Sequence, residues 1–316
     1  MANRRKSGES GYRLTVAGVG GGGINAVNRM IAAGLQGVEF VAIDTDCPAL
    51  RYSKADVNLQ IGAKLTGGRG ARGNPEIGRR AAEESRGDLI RILKWADMVF
   101  AVAGMGGGAG TGSTPIVAEA AKEAGAVLTV GVVTKPFVLE GGRRAEQAEA
   151  GIRALGKQVD SLIVIGGDQL FDIAGKQVGF CEAFRLADDL LRQAVQAVSD
   201  LLVVPGLIDI DFDDVRRVLR EGGIAQMGIG RATGKERAVE AARMAISSPL
   251  LERPIEGARG VLVNITGGPD LGPFEAGEAA EVIAAAAGPD ADITYQVITE
   301  KQLKEEVRVT VIVTGF

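Results

Sequence analysis

Two glycine-rich stretches and one acidic stretch hold the residues best able to do chemistry in this chain. Gly18-Val19-Gly20-Gly21-Gly22-Gly23 follows a strand-like run and opens a helical one; Gly104-Met105-Gly106-Gly107-Gly108-Ala109-Gly110-Thr111-Gly112-Ser113 does the same further along. Without a Cβ the main chain can come close to a phosphate, and a helix N-terminus presents unpaired N–H groups to it. The first loop satisfies GxGxxG, with Asp44 at the end of the next strand roughly 20 residues on, which is also the spelling of a dinucleotide-binding turn. An NAD-dependent oxidoreductase is therefore one reading, and tight packing of strand on helix is another. The second loop favours a triphosphate, whose charge needs several fixed donors converging on one point. Neither loop matches GxxxxGK[ST], so the lysine of a Walker-type site is missing. The acidic stretch is Asp209-Ile210-Asp211-Phe212-Asp213-Asp214. Carboxylates spaced this way suit helix capping, a metal site, or the polarisation of a water. With no histidine in the chain, the usual triads and the commonest general base are excluded.

The elements that must position these loops read as α/β. YRLTVAGV, VEFVAID, DMVFAVAG, AVLTVGVV and SLIVIGG are strand-like and alternate with amphipathic helical stretches, the pattern of a parallel sheet covered by helices. From Phe180 to Leu202 apolar residues recur at helical spacing, predicting one long connecting helix that Pro205-Gly206 closes. Helical segments and alternating runs follow, as expected of a smaller α+β domain. The predicted organisation is a flexible tail over 1–10, a nucleotide-binding domain over 11–178, a connecting helix over 179–203 and a C-terminal domain over 204–316, with the acidic loop at 205–215.

Composition narrows the function. The 316 residues carry a net charge of -4, which argues against nucleic acid as a partner. No apolar run approaches the roughly 20 residues of a membrane span, and the first residues lack the apolar block of a signal peptide. A cytoplasmic protein without direct membrane insertion is expected. Cys47 and Cys181 lie far apart without CxxC spacing and read as reduced thiols.

From about Gly18 to Phe316 the chain resembles the tubulin/FtsZ family of GTPases. GGGAGTGS looks like the family's signature loop and GVGGGGINAVNRM like its opening phosphate loop. Further segments agree in order: Asp44-Thr45-Asp46, LTGGRGARGNPEIGRRAAEES, VVTKPFVLEGGRR, AFRLADDLLRQAVQ, PGLIDIDFDDV, AISSPLLE and GARGVLVNITGG. The resemblance implies a tubulin-like fold and GTP or GDP as ligand. It also implies Mg²⁺ held mainly by the phosphates and water, with K⁺ a further candidate. It implies head-to-tail assembly of copies of the chain into filaments, and hydrolysis completed by the acidic loop of the neighbouring copy. NAVNRM, NPEIGRRAAEE and VTKPF favour bacterial cell division at a midcell septal ring over plasmid segregation or cell shape, the alternatives within the family. The last residues, VTGF, fall where the family's globular core ends, so the resemblance assigns membrane-adaptor partners to a C-terminal tail outside this chain.

Carried over residue by residue, Gly20, Gly21, Gly22, Gly104, Gly106, Gly107, Gly108, Ala109, Gly110, Thr111 and Gly112 would surround the phosphates, with Asp44 and Asp46 close by. Asn74, an N-cap before Pro75 and Glu76, would add another helix start, with Ala71 and Gly73 in the same loop. Pro136, Glu140 and Arg144 match the ribose segment; Asn25, Phe184 and Asp188 would select the base, the carboxylate accepting from guanine N1–H and its amino group. Taken alone, Phe184 and Asp188 read as a core ring and a solvated helix charge. Asp211 and Asp214, with Asp209, would orient or polarise the attacking water. Asp44 and Asp209 stand where the family usually has asparagine, and Ala109 where it has threonine. Two added carboxylates facing a triphosphate would make the GTPase rate steeply dependent on cations.

Overall fold

A computed structural model describes residues 11–169, 179–204, 206–207, 210–220 and 222–316. The expected tail over 1–10, Pro205 and Asp209 lie outside the described residues. The chain divides into two compact units, one ending at Gln196 and the other beginning at Ala197, so the division falls inside the long helix Phe180–Val203.

The first unit is a parallel sheet of β1 (Leu14–Val19), β2 (Val38–Asp44), β3 (Val57–Gln60), β4 (Met98–Gly104), β5 (Leu128–Thr134) and β6 (Ser161–Ile165), ordered β3-β2-β1-β4-β5-β6. Every residue of β1 is buried; a strand covered by helices on both faces must be apolar throughout, which is why LTVAGV shows no alternation. Helices Gly20–Ala32, Pro75–Glu84, Arg86–Leu93, Ala109–Glu123 and Gly142–Gly156 connect and cover the strands. Val19, Val41, Leu89, Leu93, Val117 and Leu155 belong to one buried cluster. This is the α/β architecture expected of the N-terminal part. Cys47 and Cys181 are free thiols, and among the described residues no helix is long and apolar enough to cross a membrane.

The second unit is a mixed sheet of β7 (Gly223–Thr233), β8 (Gly260–Gly267), β9 (Asp292–Thr299) and β10 (Glu306–Thr314). β10 runs antiparallel to both β7 and β8, while β8 and β9 are parallel. Helices Arg237–Ile246 and Pro273–Ala287 pack their alanines against Val261, Val263 and Val309. Strand β7 went unread in the sequence, whose glycines there suggest a breaker. They are required instead by the helix above: a Cβ on Gly228 or Gly230 would lie 2.0 Å from the carbonyl oxygen of Ala245 or Ala241.

Arg237, only 6% exposed, pairs with Asp270 and Glu275, each at 2.7 Å. Removing one member of a buried ion pair strands the others, typically at 3–5 kcal/mol. Asp270 is half exposed and screened, so Arg237→Ala is expected to lower unfolding stability by about 2–3 kcal/mol, read from urea melts. The guanidinium holds the Glu275 carboxyl below its usual range. This stabilisation is therefore present at neutral pH and lost as pH falls through that lowered value.

Candidate functional site

Strands β1 and β4 lie side by side, Val19 beside Ala103, and the chain moves outward from this pair in opposite directions. In such sheets ligands bind outside the carboxyl ends of the strands at this switch point, and both glycine loops leave from it. They touch main chain to main chain. Gly20 has φ +70, and a Cβ on it would lie 2.6 Å from the Gly110 nitrogen. Helices Gly20–Ala32 and Ala109–Glu123 both start here, and neither start carries a side-chain cap, so their first N–H groups are left for another acceptor. Gly21 and Gly107 have no described atom within 4 Å of where a Cβ would sit. Packing does not demand glycine at those two points.

A third wall comes from the loop before helix Pro75–Glu84. Asn74 caps that helix, its Oδ1 accepting from Glu76 N–H at 3.0 Å. A Cβ on Gly108 would lie 2.8 Å from Ala71 Cβ, and one on Gly112 would lie 1.8 Å from the Pro75 carbonyl oxygen. Gly73, in the same loop, faces open space. Thr111 is buried and accepts from Gly106 N–H at 2.8 Å, holding the second loop in its turn.

Asp44 is engaged by its own loop. It is 4% exposed and accepts from the N–H groups of Thr45 at 2.6 Å and Asp46 at 3.3 Å. Burial raises its pKa against those hydrogen bonds. Asp46 pairs through its main chain with Arg69. Neither Asp44 nor Asp46 lines the cavity described next.

Beside the loops opens a cavity of about 310 Å³, within the usual range for ligand sites. Gly22, Asn25, Gly104 and Gly107 line it from the loops, Pro136, Glu140 and Arg144 from the connection after β5, and Phe184 and Asp188 from the long helix. Glu140 pairs with Arg144 at 2.5 Å and accepts from Phe137 N–H at 2.9 Å. Phe184 is 47% exposed and meets Phe137 edge-on, ring centres 5.2 Å apart. It is an open platform where the isolated residue read as core. Asp188 reverses the other way: burial pushes its carboxyl up to about 6, against Arg29 at 3.4 Å. Thr134, Lys135, Phe137, Ala187 and Leu191 also line the cavity and were missed in the sequence. The spacing 184, 187, 188, 191 is a helical stripe that could have signalled the last two.

The acidic loop belongs to the second unit. Asp211 caps helix Phe212–Leu219, accepting from Asp214 N–H at 2.9 Å; Asp214 pairs with Arg217 at 2.8 Å, and Arg217 with Asp292 at 2.7 Å. Among the described residues no group of three His, Cys, Asp or Glu side chains stands ready for a metal ion.

A tubulin-like α/β fold with paired glycine loops at its switch point defines a nucleotide-binding class of protein. The model of the Tubulin/FtsZ family GTPase domain matches residues 13–175, and that of the FtsZ family C-terminal domain matches residues 223–316. FtsZ of M. jannaschii, solved as an empty dimer, is 42% identical and aligns over 96% of this chain and 88% of its own with a TM-score of 0.92. A point mutant of the same protein aligns with the same identity and TM-score, over 91% of its own length. CetZ2 from Haloferax volcanii, solved as a GTPγS-bound protofilament, shares the fold at 22% identity and a TM-score of 0.80, over 96% of this chain and 93% of its own. The chain belongs to the tubulin/FtsZ family of GTPases.

Proposed function

We propose that this chain binds GTP with its phosphates on the two glycine loops and its guanosine in the adjoining cavity, and that it assembles head to tail into protofilaments. The observation that carries the reading is the cavity itself, whose lining brings together Asn25, Phe184, Asp188, Glu140, Arg144, Gly22 and Gly107. Phe184 offers a face for stacking, Asp188 an acceptor pair for guanine N1–H and the amino group, and Glu140 with Arg144 polar contacts to the sugar. Uncapped helix starts meet the phosphate charge. In the filament Asp211 and Asp214 of one copy polarise the water that attacks GTP held by the next, and a heterologous contact of this kind repeats without closing. The M. jannaschii dimer and the CetZ2 protofilament support self-association.

Mg²⁺ would ride on the phosphate oxygens and offset their charge, which suits a site without a three-ligand cluster among its described residues. Asp44, engaged by its own loop, contributes little to a cation requirement; K⁺ dependence then rests on Asp209. The place of action is the cytoplasmic side of a division septum, reached through adaptor proteins.

Right-angle light scattering with GTP, GDP and ATP, with phosphate release followed in the same sample, tests the reading. Scattering with GTP alone that decays as phosphate appears supports it. Equal turnover per molecule in dilute and concentrated protein overturns the shared site. Asp188→Asn should weaken GTP binding by about 100-fold, since an acceptor pair becomes half donor and strands a base N–H. The same change should improve xanthosine triphosphate binding, measured by competition. Unchanged base preference removes Asp188 from the site.

A further inference from the structure

Asp188 is surrounded unevenly. Asn25 and Arg29 lie four residues apart on helix Gly20–Ala32, hence on one face. Asn25 lines the cavity, whereas Arg29 does not; it reaches Asp188 from one turn further back, Nε to Oδ2 3.4 Å. The Asp188 side chain is 19% exposed and that of Arg29 is 37% exposed, so the pair is screened less than one at the surface.

The other charged groups around Asp188 are already engaged. On the long helix, Asp189 is held by Arg192 at 2.7 Å and by Gln193 at 2.7 Å, and it acts on Asp188 as a like charge. Also on the cavity lining, Arg144 pairs with Glu140 at 2.5 Å and Lys135 with Glu149 at 2.9 Å. Among the described residues, Arg29 is thus the cation opposing both the burial of Asp188 and the charge of Asp189.

We propose that Arg29 is a positioning residue for guanine recognition, keeping the Asp188 carboxylate charged and aimed into the cavity although it does not itself line the site. This rests on the reading that Asp188 meets the base. A charged carboxylate accepts from both guanine donors, while its protonated form offers a hydrogen where an acceptor is needed. Guanine-nucleotide affinity therefore falls as pH drops through the Asp188 midpoint near 6. Without Arg29 the opposing charge is lost and the midpoint rises by about one pH unit.

The test is GDP binding by calorimetry between pH 5.5 and 8.5, on the full chain and its Arg29→Gln, Arg29→Lys and Asp188→Asn variants. Dividing each variant's affinity by that of wild type at the same pH cancels the titration of the GDP phosphates. Arg29→Gln is expected to bind like wild type at the alkaline end, about twofold weaker at pH 7 and about fivefold weaker at pH 6, with Arg29→Lys restoring most of the difference. A purely structural role would weaken binding by one factor at every pH. That result, or an unmoved midpoint, overturns the proposal. Normal GDP affinity in Asp188→Asn would instead sink the base-recognition reading beneath it, so the two failures are distinguishable.

Discussion

Replacing Asp211 and Asp214 together by asparagine should lower GTP turnover by roughly 100- to 1,000-fold, the scale on which a polarising group at a hydrolytic site acts, while GDP affinity and melting temperature stay near wild type. The structure makes asparagine the informative choice. Asp211 caps helix Phe212–Leu219, and asparagine caps about as well as aspartate, whereas alanine costs about 1 kcal/mol. Asp214 gives up only an ion pair with Arg217, whose side chain is 55% exposed, and such pairs contribute little to stability. Loss of turnover in a protein that melts normally therefore isolates the chemistry from the fold. Phosphate release measured well above the assembly threshold is the readout. Turnover within a fewfold of wild type would remove both residues from the mechanism and leave them as a cap and an ion pair.

Gly112→Ala is expected to destabilise the first unit by about 3 kcal/mol or more and to abolish nucleotide binding. Helix propensity alone points the other way: Gly112 sits inside helix Ala109–Glu123, where alanine is better by up to about 1 kcal/mol. Packing decides the sign. The added Cβ would lie 1.8 Å from the Pro75 carbonyl oxygen and 2.7 Å from the Arg79 nitrogen, both main-chain atoms that cannot swing aside. Helix Pro75–Glu84 must move away, and overpacking of a rigid contact typically costs 1–3 kcal/mol or somewhat more. The movement would also pull Ala71 and Asn74 from Gly108, opening the third wall beside the glycine loops. Urea unfolding and GDP calorimetry on the variant check both parts; a more stable variant would show that the helices separate freely.

The parts of the fold that were legible in the sequence share a physical reason. Strand β2 reads as VEFVAID because a strand under helices must be apolar, and the long helix Phe180–Val203 shows its period because it is long enough for the pattern to repeat. Strand β7 was hidden because Gly228 and Gly230 answer to the carbonyls of the helix that follows, Arg237–Ile246, and local propensity carries no trace of that packing. The division of the chain inside the long helix, between Gln196 and Ala197, was invisible for a related reason: helical hydrogen bonding continues smoothly across it.

The candidate site divides similarly. Glycine loops after β1 and β4 advertise themselves by composition, and Asn74 before Pro75 by capping chemistry. Phe184 and Asp188 had only a resemblance to recommend them, since no single-residue pattern separates a ring exposed in a cavity from one in a core. Arg29 and Phe137 fall inside segments that carry the resemblance but were given no role there, because each matters through what it faces: Arg29 through Asp188, Phe137 through Phe184. The hydrogen bonds that Asp44 accepts from the N–H groups of Thr45 and Asp46 are likewise beyond what the sequence shows.

The contact between Gly20 and Gly110 has an evolutionary consequence. With no rotamer between the two loops, a shift in one is handed directly to the other, so the end of the site built from them is stiff and intolerant of substitution. Elsewhere the lining includes side chains, a half-exposed ring and a carboxylate, the latter backed by a cation outside the cavity. Descendants of this protein would more readily drift in the side chains of the cavity than in the two glycine loops.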